Sequence, residues 1–388
     1  MTTAADRREL VAAVREWVER EVYPSASEYE HADEFPAPLV DDMKQMGLFG
    51  VTIPEEHGGL GLDLLTYTLI QIELSRGWMS LSGVLNTHFI SAWMIATHGT
   101  DEQKQRYLPR MASGELRFAY SMTEPHAGSD VQAIRTRAVR DDDEYVITGQ
   151  KMWATNGLRA GAIMLLAITD PDADPRHKGM TAFLLEKEPG RASQPGLEVS
   201  KPLPKLGYKG VESVELAFDG FRAPASSVLG GAEGAGFYHF MGGIELGRVN
   251  IAARAIGIAT RAFEEAIRYA QERETFGKPI AQHQAVQLKL AQMATKIEAA
   301  RLLTMQAAER KSAGERADLE AGMAKLFATE TAEEVALEAM RIHGGYGYSQ
   351  EFVVERIYRD APLLIIGEGS NEIQQLVIAR RLLERHAV

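Results

Sequence analysis

The hydrophobic periodicity of this 388-residue chain changes twice, and the two changes decide what it can fold into. From Leu10 to about Met111 apolar residues recur at helical spacing. Near Arg117 they turn to alternation and short apolar runs, and after Gly230-Gly231 helical spacing returns and persists. A stripe of period 3.6 and one of period 2 cannot serve the same element. The spacing therefore predicts an α+β chain, mostly α. An N-terminal α-helical domain spans 1–116, a central antiparallel β-barrel or sandwich 117–230, and a C-terminal four-helix bundle 231–388. The length suffices for two or three domains with shared cores.

In the first part, Leu10, Val14, Trp17, Val18 and Val22 form a helical stripe that is expected to stop before Pro24. A short helix over 39–46 closes on Gly47. The glycine-rich turn Ile53–Leu62 lacks both Walker spacing and a preceding strand, which excludes a phosphate loop. Buried helices are expected over 64–75 and 80–97, and Thr100-Asp-Glu-Gln103 has capping-box form. His88 and His98 read as core or interface histidines, and no metal site is expected.

In the middle, strands are expected over 118–122, 145–148, 162–168, 181–186 and 211–218. No long helix intervenes and no G-x-G-x-x-G follows a strand, so a doubly wound dinucleotide fold is excluded. Two segments stand out. Tyr120–Asp130 sets small residues and hydroxyls on a loop after a strand, and Lys151–Gly157 follows a strand with an aromatic plane and a hydroxyl two residues on. Each is either ordinary loop chemistry or a place where a polar cofactor meets backbone and hydroxyl donors.

In the last part, long alanine-rich helices are expected over 237–273, 285–308 and 317–340, a composition that packs closely side by side. They break at Arg273–Pro279 and at Arg341–Tyr348, where glycines let a ligand or another backbone approach. The apolar run Leu363–Ile366 then enters Gly367-Glu368-Gly369. A carboxylate desolvated on one side has its pKa raised from about 4.3 towards neutrality. That suits a general base, although a loop glutamate that merely starts a helix has the same local sequence. Asn371 with Gln374 resembles an N-cap pair, so a helix from Glu372 would present N–H groups beside Glu368.

Composition removes several function classes. The formal charge of −12 argues against a general nucleic-acid binder and an anionic membrane surface. No run of about 18 apolar residues is present, so no membrane span is expected. The start has neither signal-peptide nor transit-peptide character, which makes the cytoplasm the expected compartment. With no cysteine there is no disulfide, thiol nucleophile or thiolate metal site.

Six segments in order resemble the acyl-CoA dehydrogenase family of flavoproteins over nearly the whole chain. They are PEEHGGLGLD from Pro54, YSMTEPHAGSD from Tyr120, GQKMWATNG from Gly149, RETFGKPIAQHQ from Arg273, IHGGYGY from Ile342 and RDAPLLIIGEGSNEIQ from Arg359. The resemblance implies FAD held between the β domain and the C-terminal bundle. Tyr120, Met122, Thr123 and Ser129 match the flavin-contacting loop, and Trp153 and Thr155 match residues that cover the isoalloxazine near N5. Arg273, Thr275, Phe276, His283 and Gln284, with Arg341, Gly344 and Gly345, match positions that reach the FAD of a neighbouring subunit in a tetramer. Ser370 and Glu372 match further cofactor positions.

The implied substrate is an acyl-CoA thioester, with Ser129, Glu245, Arg248 and Gly369 lining the acyl-pantetheine channel. Glu368 matches the base that takes the α-proton while the β-hydrogen leaves as a hydride to flavin N5. The product is a trans-2-enoyl-CoA, and electron-transferring flavoprotein is the usual acceptor. The setting is fatty-acid β-oxidation. Enolate charge would be stabilised by a ribityl hydroxyl and the Glu368 N–H. A minority of the family carries its base immediately before the arginine matched by Arg248; here that residue is Gly247, which cannot serve, and Glu245 is offset. Departures from the family pattern are Arg341 for a common glutamine, Ser370 for a commoner threonine, and Glu372 for a frequent glutamine. The alternatives are an acyl-CoA oxidase using O2 and a non-catalytic binding protein with a relic site. The acyl chain cannot be read, and the lack of arginine between Met79 and Met94 argues against a dicarboxylic tail.

Overall fold

The computed structural model describes residues 4–387; the reading of the first residues, Met1–Thr3, lies outside them. The N-terminal part holds α1 (Ala4–Trp17), α2 (Tyr23–Ala32), α3 (Ala37–Gln45), α4 (Leu64–Gly77), α5 (Met79–His98) and α6 (Asp101–Ala112). Pro24 does not end the first helix. A π-helical turn, Val18–Val22, joins α1 to α2, and Pro24 sits in the first turn of α2. A widened turn accommodates the missing proline N–H without breaking the rod. Helix α3 ends as expected, with Gly47 in the left-handed region at φ 72°. The Thr100–Gln103 capping box forms in both directions. Helices α4 and α5 are buried almost throughout.

The central part is one curled mixed sheet. Its strands are β1 (Phe118–Ser121), β2 (Arg137–Asp141), β3 (Glu144–Thr155), β4 (Ala162–Ile168), β5 (Met180–Glu186), β6 (Ser193–Gln194), β7 (Leu197–Val199) and β8 (Ser213–Pro224). They lie in the order β1-β4-β2-β3-β8-β7-β6, with β5 on β4. The expected all-antiparallel pairing fails at β4, which runs parallel to β1 and, at one pair, to β2. Parallel neighbours need a crossover; here the β2–β3 hairpin supplies it in place of a helix. Segment Lys151–Thr155 does not follow a strand but is the far half of β3. A bulge between Lys151 and Ala154 breaks its register with β8 and throws Trp153 outward at φ 61°.

The C-terminal part holds α7 (Gly236–Glu272), the short pair β9 (Glu274–Thr275) and β10 (Lys278–Pro279), then α8 (Gln284–Ser312), α9 (Asp318–His343), α10 (Val354–Ile366) and α11 (Asn371–Arg385). Helix α9 is central, packed by α7, α8, α10 and α11, while α4 and α5 lie against α7. One hydrophobic core runs through all the helical parts and one face of the sheet; a second fills the other face around Tyr145, Phe183 and Phe218. Among the described residues no helix is long and apolar enough to cross a membrane.

Candidate active site

Helix α10 buries Val354, Ile357, Ala361 and Leu364 and stops at Ile366, after which the chain must turn sharply into α11. Glu368 (φ 53°) and Gly369 (φ 86°) make that turn as two successive left-handed residues. A non-glycine residue there is strained, and such strain concentrates where the surroundings impose it. The surroundings are explicit. Lys325 of α9, fully buried, donates to the carbonyls of Ile365 (3.2 Å) and Gly369 (3.0 Å) and to Asn371 Oδ1 (2.8 Å). Burial pushes its ammonium down to about 8. Gln374 Nε2 also donates to the Gly369 carbonyl at 3.0 Å. Asn371 is therefore not the N-cap that the sequence suggested. Ser370 occupies that position without a side-chain bond, and the Asn371 oxygen is taken by Lys325 and Thr329.

The Glu368 side chain points inward. Its Oε1 accepts from Asn86 Nδ2 of α5, and its Oε2 is buried with no partner. The residue keeps some exposed surface through its other atoms, but the carboxyl does not. Burial raises its pKa, opposed first by the Asn86 hydrogen bond and then by Arg254, Lys325 and Arg248. Across from it lies Gly247 of α7, where an added Cβ would fall 1.7 Å from Glu368 Oε2. The carboxyl fills the space a side chain at 247 would need.

Three tyrosines surround this carboxyl. Tyr67 stacks on Phe89 at 3.9 Å and accepts from Asn250 Nδ2 at 2.9 Å. Tyr120 donates to the Phe240 carbonyl at 3.1 Å. Burial first, then the Glu368 charge, holds both phenols well above the usual range. Tyr208 arrives on the loop before β8; its N–H donates to Asp360 Oδ1 at 2.6 Å, and its ring lies 4.9 Å from the Arg254 guanidinium. That loop requires Gly83, where a Cβ would fall 1.7 Å from the Tyr208 hydroxyl. The same region leaves Gln71 Nε2 and Oε1, Asn86 Oδ1, Asn250 Oδ1, Arg248 Nε, and Arg254 Nε and Nη2 buried without partners. A finished core satisfies such atoms; this one is arranged to receive something polar.

Of the expected channel residues, Gly369 and Arg248 adjoin Glu368, Ser129 is exposed, and Glu245 is held by Lys311 of α8 at 3.0 Å. The loop carrying Met122 and Thr123 is tied to β3 by Met152 N–H to the Thr123 carbonyl (2.8 Å) and by buried Lys151, which donates to the Met122 carbonyl and Glu124. Trp153 stands 52% exposed beside it, and the hydroxyls of Thr123, Ser129 and Thr155 engage no other group among the described residues. An exposed aromatic plane, free hydroxyls and the buried, unpartnered Ser121 Oγ make a surface that fits a flat, polar ring system such as a flavin.

The remaining predicted residues lie elsewhere. Thr275 and His283 share a hydrogen bond at 3.2 Å in the turn between α7 and α8, beside Gln284 at the start of α8. Phe276 is 97% exposed at φ 52°. Arg273 faces Tyr346, Arg341 is exposed beside Glu338, and Gly344 and Gly345 have open space around them. Arg273, which caps the C-terminal end of α7, is 26 residues beyond Gly247, about 39 Å at 1.5 Å per residue. The fold therefore brings Glu368, Gly369, Ser370 and Glu372 to one segment and the Tyr120–Thr155 residues to one surface. The 273–284 and 341–345 residues gather at the far end of the bundle. Sequence reading missed Tyr67, Asn86, Tyr208, Arg254 and Lys325. The available signal was a polar residue on the buried face of an otherwise apolar helix, as at Asn86.

Three family models match in succession: acyl-CoA dehydrogenase, N-terminal domain, over residues 4–115; middle domain, over 119–221; and C-terminal domain, over 234–383. The chain is 42% identical to an acyl-CoA dehydrogenase of Bacillus subtilis over 95% of this chain and 96% of that one. It is 43% identical to a (2S)-methylsuccinyl-CoA dehydrogenase of Cereibacter sphaeroides, over 95% of this chain and 68% of that one. The solved structure of butyryl-CoA dehydrogenase from Megasphaera elsdenii superposes with a TM-score of 0.92 at 34% identity, covering 99% of each chain.

Proposed function

The chain belongs to the acyl-CoA dehydrogenase family, whose members are FAD-dependent flavoproteins, and from that premise we propose that Glu368 is the base that takes the α-proton of an acyl-CoA thioester. One observation carries the assignment: the Glu368 carboxyl is buried, held on one oxygen by Asn86 and free on the other, in the space left by Gly247. Burial raises its affinity for a proton, which helps it accept one from a weakly acidic carbon. The Asn86 hydrogen bond fixes one oxygen and leaves Oε2 to receive the proton. Lys325 keeps the strained turn in place, so the carboxyl needs no rearrangement before reaction. The Glu368 N–H donates to no acceptor among the described residues and is available to the thioester oxygen as enolate charge develops.

Tyr120, Met122, Thr123, Ser129, Trp153 and Thr155 would hold the flavin end of FAD, with Ser370 and Glu372 bordering the same segment. When bound, FAD supplies the acceptor for the β-hydrogen. The product is then a trans-2-enoyl-CoA, with electron-transferring flavoprotein as the onward acceptor carried by family membership. Arg273, Thr275, Phe276, His283, Gln284, Arg341, Gly344 and Gly345 would serve the FAD of a neighbouring copy in a tetramer. The roughly 39 Å between Gly247 and Arg273 supports that division. Ser129, Arg248 and Gly369 border the acyl-pantetheine path; Glu245 joins them by holding Lys311. The reading includes three units divided near residues 116 and 230, a cytoplasmic setting, and fatty-acid β-oxidation.

The test is the Glu368→Gln variant, mixed anaerobically with short and medium acyl-CoAs. It should purify yellow and keep its flavin band when substrate is added, while the unaltered protein bleaches. Normal bleaching by the variant would end the assignment.

A further inference from the structure

Four arginines are buried among the described residues, and three have carboxylate or carbonyl partners. Arg76 pairs with Glu73, Glu19 and Glu264. Arg261 pairs with Glu19 and donates to the Arg76 carbonyl. Arg356 donates to the Gly77 carbonyl and Ser27. Arg254, 2% exposed, has neither; it engages only the Tyr208 phenol, and its Nε and Nη2 are buried without an acceptor. Its guanidinium lies over the Tyr208 ring and faces Tyr67, Lys205 and Glu368. Glu368 does not serve as its counter-ion, since neither a hydrogen bond nor an ion pair joins the two, and Asn86 already holds Glu368 Oε1. A buried guanidinium without an anion is costly enough that proteins rarely leave one. The missing partner therefore belongs to something that enters the site.

The position limits what that can be. Gly247, Asn250 and Arg254 stand at i, i+3 and i+7 on one face of α7, so they line a single strip. Glu368 meets the start of the strip. Arg254 begins two turns further, and helical side chains lean back towards the N-terminus, over Asn250. Asn250 Oδ1 and both polar atoms of Gln71 wait unpartnered along the way. Tyr67 stacked on Phe89 closes one side with flat apolar surface. A group reaching from the Glu368 carboxyl to Arg254 is short and ends in negative charge.

We propose that the site takes short acyl thioesters whose far end carries a carboxylate, and that Arg254 binds that carboxylate. The proposal rests on the acyl-thioester reading above and adds the tail. It also revises the expectation drawn from the arginine-free stretch between Met79 and Met94, because the cation comes from α7 instead.

The test pairs thioesters of equal length, succinyl-CoA with butyryl-CoA and glutaryl-CoA with pentanoyl-CoA. Binding is titrated calorimetrically on FAD-loaded Glu368→Gln protein, so that chemistry is held off. At least one carboxylated member should bind about ten-fold or more tightly than its partner. Adding Arg254→Gln should abolish that preference while moving the uncharged thioesters less than about two-fold. Arg254→Lys, which keeps the charge but loses the planar fork, should retain a weakened preference if the glutamine variant does not fold. No preference for carboxylated tails, or a preference that survives Arg254→Gln, overturns the proposal. Failure of every acyl-CoA to bind, and to bleach the unaltered protein, is a separate result that overturns the acyl-thioester reading together with it.

Discussion

Two buried charged clusters adjoin α10, one along its first two turns and the other just past its C-terminal end, and they are built on opposite principles. In the first of them, Glu30 is fully buried and receives Arg359 Nη1 and Nη2, while Arg359 Nε and Nη2 also meet Glu355. Asp360, 1% exposed, accepts the Tyr208 N–H. At the C-terminal end, Glu368, Arg254, Asn86, Asn250 and Gln71 leave polar atoms with nothing to bond. The first cluster has spent its hydrogen-bonding capacity on the fold; the second has kept it. Completeness of pairing, more than burial or charge, separates a structural cluster from one that awaits a ligand.

The contrast can be broken by asking what each cluster loses when a charge is removed. Glu368→Gln should slow flavin bleaching at least about a thousand-fold. It should not lower the melting temperature, because a buried, half-partnered charge is replaced by a neutral group. A clear loss of stability would place Glu368 with the structural cluster. Arg359→Leu should act the other way, costing about 3–5 kcal/mol by leaving Glu30 buried without its cation. Bleaching per folded molecule should stay near normal. A denaturant midpoint unchanged from the parent would remove the basis of the contrast.

Gly247→Ala should slow bleaching about 10–100-fold with FAD still bound, because the added methyl displaces the carboxyl that occupies its place. Unchanged kinetics would show that the carboxyl has room to spare. Asp360 gives a pH test. Burial holds it up to about 6, so the native chain keeps a proton that the unfolded chain releases near 3.8. The stability contributed by this group therefore falls as pH rises through roughly 4 to 6. Asp360→Asn keeps an acceptor for the Tyr208 N–H and should remove that slope; a slope retained by the variant assigns it elsewhere. The smallest effect is expected at Asn86. Its hydrogen bond is the largest influence drawing the Glu368 pKa down, so Asn86→Leu should raise it further. The acid limb of bleaching against pH should then move to higher pH, and a limb that stays or moves down would deny Asn86 that role.

Periodicity made the helices and the change of architecture legible, because an amphipathic stripe records which face meets the core. It did not reveal β2, whose charged Arg137, Arg140 and Asp141 lie mostly exposed, or the parallel pairing at β4, which depends on where distant strands meet. Glu368 was legible because two glycines and an apolar run isolate it. Arg254 and Asn86 were not. A polar residue inside an apolar helix looks the same in sequence whether it is bonded or waiting, and only the packed neighbours distinguish the two. Tyr208 was hidden for a similar reason: the Lys-Leu-Gly-Tyr loop reads as a surface turn until Gly83 and Asp360 are seen holding it in.

The unbroken length of α7 has a mechanical consequence. One rod carries Gly247 in its first half and Arg254 at its midpoint, and leads into the Arg273–Pro279 turn at its far end. It works as a gauge as well as a wall. One inserted residue would advance everything beyond it by about 1.5 Å and rotate it by about 100°, turning the far hairpin to a new heading. Substitutions along the outer face of α7 leave that geometry alone, whereas a change of length between Gly247 and Arg273 resets it at once. Length is the property of this helix under the tightest constraint.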